Sequence, residues 1–272
     1  MSISYAAVSP AGPAPIITAI LFLLLTIHCF SQQENTKKYS LRKYAHVKSF
    51  YKGMSKKATI LCLDNNIPPA ALLAITGLES GWDSGYIGQI TGNILSLGTR
   101  RGDTELPALR LPRVLKTKKI LFDSLEILKY SKKELKWENR PESLKKDYRP
   151  KPIAGTKYQL GYFKHNPKAK ANAHVANIRD FVTVFIGRKS RIKAYRETRK
   201  KMDALVAKHG KSILLEEQTA IDFINGIGGK LNSYNYRKTW PKKVISIIKN
   251  AGLTSLTKQL QKGVSFEKSW SK

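Results

Sequence analysis

The chain reads as a mainly α protein with a small β-hairpin or loop region beside a cleft. Apolar residues recur at three- and four-residue spacing in several separate windows, the signature of amphipathic helices. Nothing between those windows reads as a sheet of more than two or three short strands. At 272 residues with 42% hydrophobic content, the chain has enough apolar surface for one sizeable core and is not a disordered basic tail.

The elements follow in order. Residues 40–63 alternate basic and apolar turns and are expected to form one helix, closed by Asp64, Asn65 and Asn66. Pro68 and Pro69 open a second helix, since proline is tolerated in a first turn. Ala70, Leu73, Ala74, Gly77 and Leu78 form its apolar stripe, and Glu79 stands in its last turn. Residues 83–115, broken by Pro107 and Pro112, are expected as loops with a small hairpin. Residues 118–136 read as a basic amphipathic helix. Residues 137–172, rich in Pro and Gly, read as a long, weakly structured stretch. Val175, Ile178, Phe181, Val182 and Phe185 restart helical periodicity, and Tyr195, Thr198, Met202 and Leu205 continue it after a break near Gly187. A short helix over 216–224 ends in the turn Gly226-Ile227-Gly228-Gly229, and a last one runs from 242 to 249 behind Trp240 and Pro241.

Charge is distributed unevenly. No Lys, Arg, Asp or Glu precedes Glu34, so all 49 basic and 19 acidic residues, and the net charge of +30, lie beyond residue 33. Such a surface favours a polyanion. Nucleic acid is the rival partner, but no zinc-finger, winged-helix or RNP pattern occurs, and aromatics are not interleaved with the basic runs as a stacking platform requires. The runs Arg188–Lys193 and Arg196–Lys201 read as mostly a solvated face. Residues 1–33 form a signal-like leader or membrane anchor. Its apolar core, Ile16–Ile27, is shorter than the roughly 20 residues that span a bilayer. Export to the periplasm or cell envelope is the favoured reading. The basic cluster Lys37, Lys38, Arg42, Lys43 follows the core, which as an uncleaved anchor would hold the body in the cytoplasm.

The two cysteines, Cys29 and Cys62, support neither a disulfide framework nor a metal site. Cys62 is expected as a buried thiol. His46, His165, His174 and His209 lack ligand spacing and read as surface residues. No cofactor is expected.

One segment carries chemistry. Leu78-Glu79-Ser80-Gly81-Trp82 ends an apolar helix in a carboxylate and turns at once through glycine to an aromatic. The helix dipole disfavours a carboxylate there, and Leu78 and Trp82 would desolvate it. Both effects raise its pKa, the direction a general acid needs. Glycosidic cleavage commonly uses a second carboxylate. Asp83, Asp103 and Glu105 are the nearby candidates, with Asp83 foremost. Trp82, Tyr236 and Trp240 are candidate sugar platforms; Trp82 is the best placed, and Trp240 is expected to pack the last helix.

The same segment resembles the Leu-Glu-Ser-Gly-Trp-Gly motif of the bacterial glucosaminidase family, nearest its Bax-like branch. Those proteins are peptidoglycan hydrolases with a lysozyme-like helical fold. Two later stretches resemble the family in the right order: Ala194-Tyr195-Arg196-Glu197-Thr198-Arg199, and Leu231-Asn232-Ser233-Tyr234 through Trp240, Val244 and Ile248. The resemblance covers roughly residues 60–110 and 175–250. It implies that Glu79 is the acid catalyst, that Tyr234 is the active-site tyrosine, and that the segment containing Asn93 lines the cleft floor and meets substrate. Asp83 and Gly85 stand where the family has Gly and Ser, and Leu95 and Ser96 where it has Phe and Gly. Residues 34–272 are thus expected as a lysozyme-like domain carrying a basic insertion at about 100–172. The implied activity is an endo-β-N-acetylglucosaminidase acting on the β-1,4 bonds of peptidoglycan, working as a monomer at the anionic envelope. A lytic transglycosylase is the closest alternative, and a non-catalytic basic cell-wall-binding protein a further one.

Overall fold

The computed structural model describes residues 39–271; the expected leader, with Cys29, lies outside the described residues. Those residues form a mainly α fold with one two-stranded antiparallel sheet. None of their helices is long and apolar enough to cross a membrane.

Helix α1 spans Ala45–Asp64, behind a separate 3-10 turn at Ser40–Lys43, so residues 40–63 hold two elements rather than one. Helix α2, Pro69–Ser80, starts on its proline as expected. Every residue from Pro69 to Gly77 is buried, making α2 a helix that is apolar all round and therefore central. It packs against α1 and, further along the chain, against α8 (Glu217–Ile227), α9 (Trp240–Ala251) and α10 (Leu253–Gln261). Gly77 permits one close approach: a Cβ there would meet the Tyr51 hydroxyl at 2.6 Å.

Between α2 and the C-terminal helices lie α3 (Tyr86–Thr91), β1 (Leu109–Val114), α4 (Ser124–Ile127), β2 (Leu135–Arg140), α5 (Tyr162–His165) and α6 (Pro167–Asp180). The strands pair from Leu109–Arg140 to Val114–Leu135. The helix expected over 118–136 is not formed. Asp123 caps only one turn through the Leu125 amide, and the Ser131–Glu134 capping box opens another short turn. Leu125 and Leu128 find nothing to pack on and stay 63% and 80% exposed, so the apolar period had no buried face to reward it. The region expected as a basic insertion at about 100–172 contributes Leu106, Leu109 and Leu111 to a small second core completed by Ile90 of α3. It is also stapled by a fully buried ion pair. Arg149 Nη2 lies 2.6 Å from Asp147 Oδ2, which also accepts from the Gly155 amide.

Helix α6 starts earlier than its periodicity indicated and runs into a π-helical turn, Phe181–Phe185. Helix α7 spans Lys193–His209. Two helices follow where the last was expected to end: α10, and α11 at Phe266–Trp270. Their apolar residues are short runs between lysines, and burial of Leu253, Leu256, Leu260 and Trp270 against α1 and α2 holds them. Arg42 ties this end to the start of the described fold, donating to the carbonyls of Ala251, Gly252, Ser269 and Trp270. Cys62 is buried and free.

Candidate functional site

Glu79 occupies the last turn of α2. The helix stops at Gly81, which takes the left-handed conformation at φ +56°, the region open to glycine at least cost. Trp82 (φ +52°) and Asp83 (φ +64°) continue in the same region. Two non-glycine residues held there in succession store strain of about 1–3 kcal/mol each.

The half-buried Glu79 carboxyl accepts a 2.9 Å hydrogen bond at Oε1 from the indole Nε1 of Trp240. Burial holds this carboxyl above its ordinary value of 4.5; the Trp240 bond and the charge of Lys145 pull in the opposite direction and only partly offset it. Trp240, 3% exposed at the head of α9, therefore does more than pack the helix. Tyr234 lies against the same indole, ring centres 5.4 Å apart, and edge-on to Phe181 at 5.4 Å and Phe185 at 6.0 Å. The π-helical turn brings those two phenylalanines into a stack. Tyr234 donates through its hydroxyl to the carbonyl of Leu95 at 2.9 Å. Burial, followed by the nearby Glu79 and Tyr195, pushes its phenol well above the ordinary 10. Glu79 and Tyr234 are thus brought together from residues 155 positions apart.

Asn93 organises the third wall. Its Nδ2 donates to the carbonyls of Leu97 and Lys146, and its Oδ1 accepts from the Leu97 amide and from Asn177 Nδ2. Asn177 Oδ1 in turn accepts from the Leu95 amide. Asn93 is 5% exposed and its hydrogen-bonding groups are spent within the fold. It shapes the loop that presents the Leu95 carbonyl, and the expected direct contact with substrate is replaced by that positioning role. Ser96 is exposed at φ +56°, and its carbonyl accepts from Lys145 Nζ at 2.8 Å. Lys145 is a site residue that sequence reasoning missed, because it lies in the stretch that resembles nothing.

Trp82 and Asp83 do not join this group. The left-handed turn folds Trp82 back over Gly77, where its Nε1 donates to the Tyr51 hydroxyl at 3.3 Å. It lines a separate cavity of about 350 Å³ with His46, Asp83, Lys170 and His174. Gly77 and Glu79 are two residues apart, so they point to nearly opposite sides of a 3.6-residue helix. Asp83 is paired with Lys170 in that cavity. Its other oxygen, Oδ1, is buried without a hydrogen-bond partner among the described residues. His174 is a correction as well: it is 6% exposed rather than on the surface, and burial pushes its imidazole down to about 3. Asp103 is held by Lys146 at 2.8 Å, and the backbone of Glu105 forms an isolated antiparallel β-bridge with that of Lys146. Tyr236, two residues beyond Tyr234, is 66% exposed and free to offer a ring face.

Fold and site together define a mainly α protein with one half-buried carboxyl at a helix end, set against an indole donor and a neutral tyrosine. Comparison with protein-family models, with curated proteins and with solved structures finds no match to this chain.

Proposed function

We propose that this chain is a glycoside hydrolase with a lysozyme-like fold that cuts the β-1,4 backbone of peptidoglycan, an endo-β-N-acetylglucosaminidase with Glu79 as general acid. The observation that carries the reading is the Glu79 carboxyl, kept above its ordinary pKa by burial and aimed by Trp240. A carboxyl raised in this way is protonated further toward neutral pH, as a general acid requires.

Backbone conformation adds support. The bacterial glucosaminidase motifs carry Gly where this chain has Asp83 and Ser96, and both residues sit at positive φ. The chain thus keeps a glycine-type turn at both places without the glycine.

In this scheme Glu79 gives its proton to the glycosidic oxygen as the C1–O bond breaks. The leaving sugar departs with a hydroxyl, and positive charge develops at C1. Asp83 is committed to Lys170 in the cavity that Trp82 lines, and among the described residues Asp103 is tied to Lys146, so the scheme uses no second carboxylate. The substrate's own 2-acetamido oxygen is the available nucleophile, closing a five-membered ring that water then opens, with the water's proton returning to Glu79. Tyr234, neutral and anchored on the Leu95 carbonyl, keeps hydroxyl lone pairs with which to orient the acetamido N–H or the water. Tyr236 is the candidate platform for a sugar ring. The net charge of +30 suits an anionic envelope, and we assign the protein there, exported behind residues 1–33.

A site that brings only Glu79 among the described carboxylates to Trp240 and Tyr234 also favours one second reading, a lytic transglycosylase, in which Glu79 returns as a base and the sugar's own 6-hydroxyl attacks C1. Digestion of purified peptidoglycan by the wild type beside Glu79→Gln, with released ends identified by mass spectrometry, tests both. Reducing N-acetylglucosamine ends from the wild type alone support the hydrolase, and anhydro-muramoyl ends the transglycosylase. Equal cleavage by both proteins, or none by either while both are folded, refutes the assignment of Glu79.

A further inference from the structure

Arg199 does not belong to the solvated basic face in which its sequence neighbours place it. It is 2% exposed, and its Nε and Nη1 are shut from solvent with no hydrogen-bond partner among the described residues. Burial and the neighbouring Arg188 push the guanidinium down to about 10, so it still carries its charge at neutral pH. An arginine this deep ordinarily has a counter-ion. The carboxylate whose charge acts on it, Asp203, is already spent. Its Oδ1 accepts from Asn66 Nδ2 and Arg188 Nη2, and its Oδ2 from Arg188 Nε. Cys62, on the inner side, is held as a neutral thiol by burial.

Arg199 lines a cavity of about 450 Å³ whose rim is formed by Arg188, Lys193, Arg196 and Lys200. Lys193, Arg196, Lys200 and Asp203 fall at helical spacing along one face of α7. Against these five cations stand only Asp203 and Glu197, and Glu197 is exposed and within 3.6 Å of Lys193. A buried fork of N–H donors behind a rim of cations, with Arg188 and Arg196 fixed by their own hydrogen bonds, matches a tetrahedral oxyanion, which accepts from several directions at once. The volume exceeds that of a bare ion and leaves room for the group the anion is attached to.

We propose that this cavity is a binding site for a phosphate ester, with Arg199 as its buried anchor. The site lies on α7 and the turn that precedes it, shares no residue with the Glu79 group, and does not depend on the glycosidase reading.

The test follows the melting temperature of the full chain against inorganic phosphate at constant ionic strength, with Arg199→Met, Lys193→Gln/Lys200→Gln and the distant control Lys132→Gln/Lys133→Gln. Wild type and control should show a saturable rise of ~4 °C at ten times Kd. Arg199→Met should show none while melting no lower than the wild type without phosphate, because it removes an unpaired buried charge. The rim variant should bind at least tenfold more weakly, and it carries the test if Arg199→Met does not fold. Phosphatidylglycerol vesicles distinguish the source. Binding that falls with the rim variant but not with the control identifies a lipid headgroup; vesicle binding unchanged while the phosphate shift is lost identifies a soluble ester. Equal phosphate shifts in the wild type, rim variant and Arg199→Met would overturn the proposal, as would no shift in any of them.

Discussion

The indole N–H of Trp240 reaches across 161 residues of chain to Glu79 Oε1 at 2.9 Å, joining the first residue of α9 to the last turn of α2. Of the groups acting on Glu79 that lower its pKa, this bond is the largest. Trp240→Phe keeps most of the apolar contact and deletes the donor, so the carboxyl should titrate at higher pH than in the wild type. Carbon-detected NMR titration of the Glu79 side chain measures this directly. If the carboxyl is the acid, the alkaline limb of the pH–rate profile should move up with it. An unchanged titration would mean that the bond does not act on the ionised form.

Glu79 should also mark the stability of the fold. Its folded pKa is raised above the unfolded value, so the native state binds more protons and wild-type stability falls as pH rises from 4.5 through the folded pKa. Glu79→Gln retains an acceptor for Trp240 and removes this loss. The melting temperature of the variant should match the wild type below pH 4.5 and exceed it at neutral pH. A gap that is independent of pH would contradict the assigned shift.

Loss of activity should separate the two carboxylates of the motif. Glu79→Gln is expected to lower kcat by about 10²–10⁴-fold, the range for removing a general acid. Asp83→Asn should cost less than about tenfold, on the ground that Asp83 faces Lys170 and His174 in the cavity that Trp82 lines. Equal losses on peptidoglycan would return Asp83 to the site.

His174 makes an acid-sensitivity prediction. Its imidazole is neutral in the fold and titrates near 3, against 6.5 when unfolded. Between those values the unfolded chain takes up a proton that the native one does not. Stability should therefore decline by about 1.4 kcal/mol per pH unit as pH falls below 6.5. Urea unfolding at pH 7 and pH 4.5 should show a smaller difference for His174→Phe than for the wild type.

The Asp147–Arg149 pair should dominate the stability of the segment between the two strands and α6. Arg149→Met leaves Asp147 buried and unpaired, and a loss of about 3–5 kcal/mol is expected, read from denaturant midpoints. Replacing both residues by apolar ones of similar volume should recover much of it.

Much of this was legible in the chain itself. The proline-opened helix ending in Glu79-Ser80-Gly81-Trp82 stands where periodicity put it, because its stripe, its first-turn proline and its terminal glycine all agree. The 118–136 helix failed where local pattern met no partner surface. Trp82 was misplaced for a different reason: three successive left-handed residues turn its ring away from the carboxylate beside it in sequence, and a one-dimensional pattern carries no φ.

By itself the sequence determined a mainly α chain and the proline-opened helix that carries Glu79, since these depend on short-range spacing, while Tyr234 came from the resemblance alone. Tertiary structure alone decided that Trp240 rather than Trp82 meets Glu79 and that Asn93 is spent on the fold. It also decided that Lys145 reaches the site and that Arg199 lies buried with Nε and Nη1 unpartnered among the described residues. Each of those is a long-range contact, and its energy depends on which surfaces exclude water together. A residue's neighbours in the chain do not specify that.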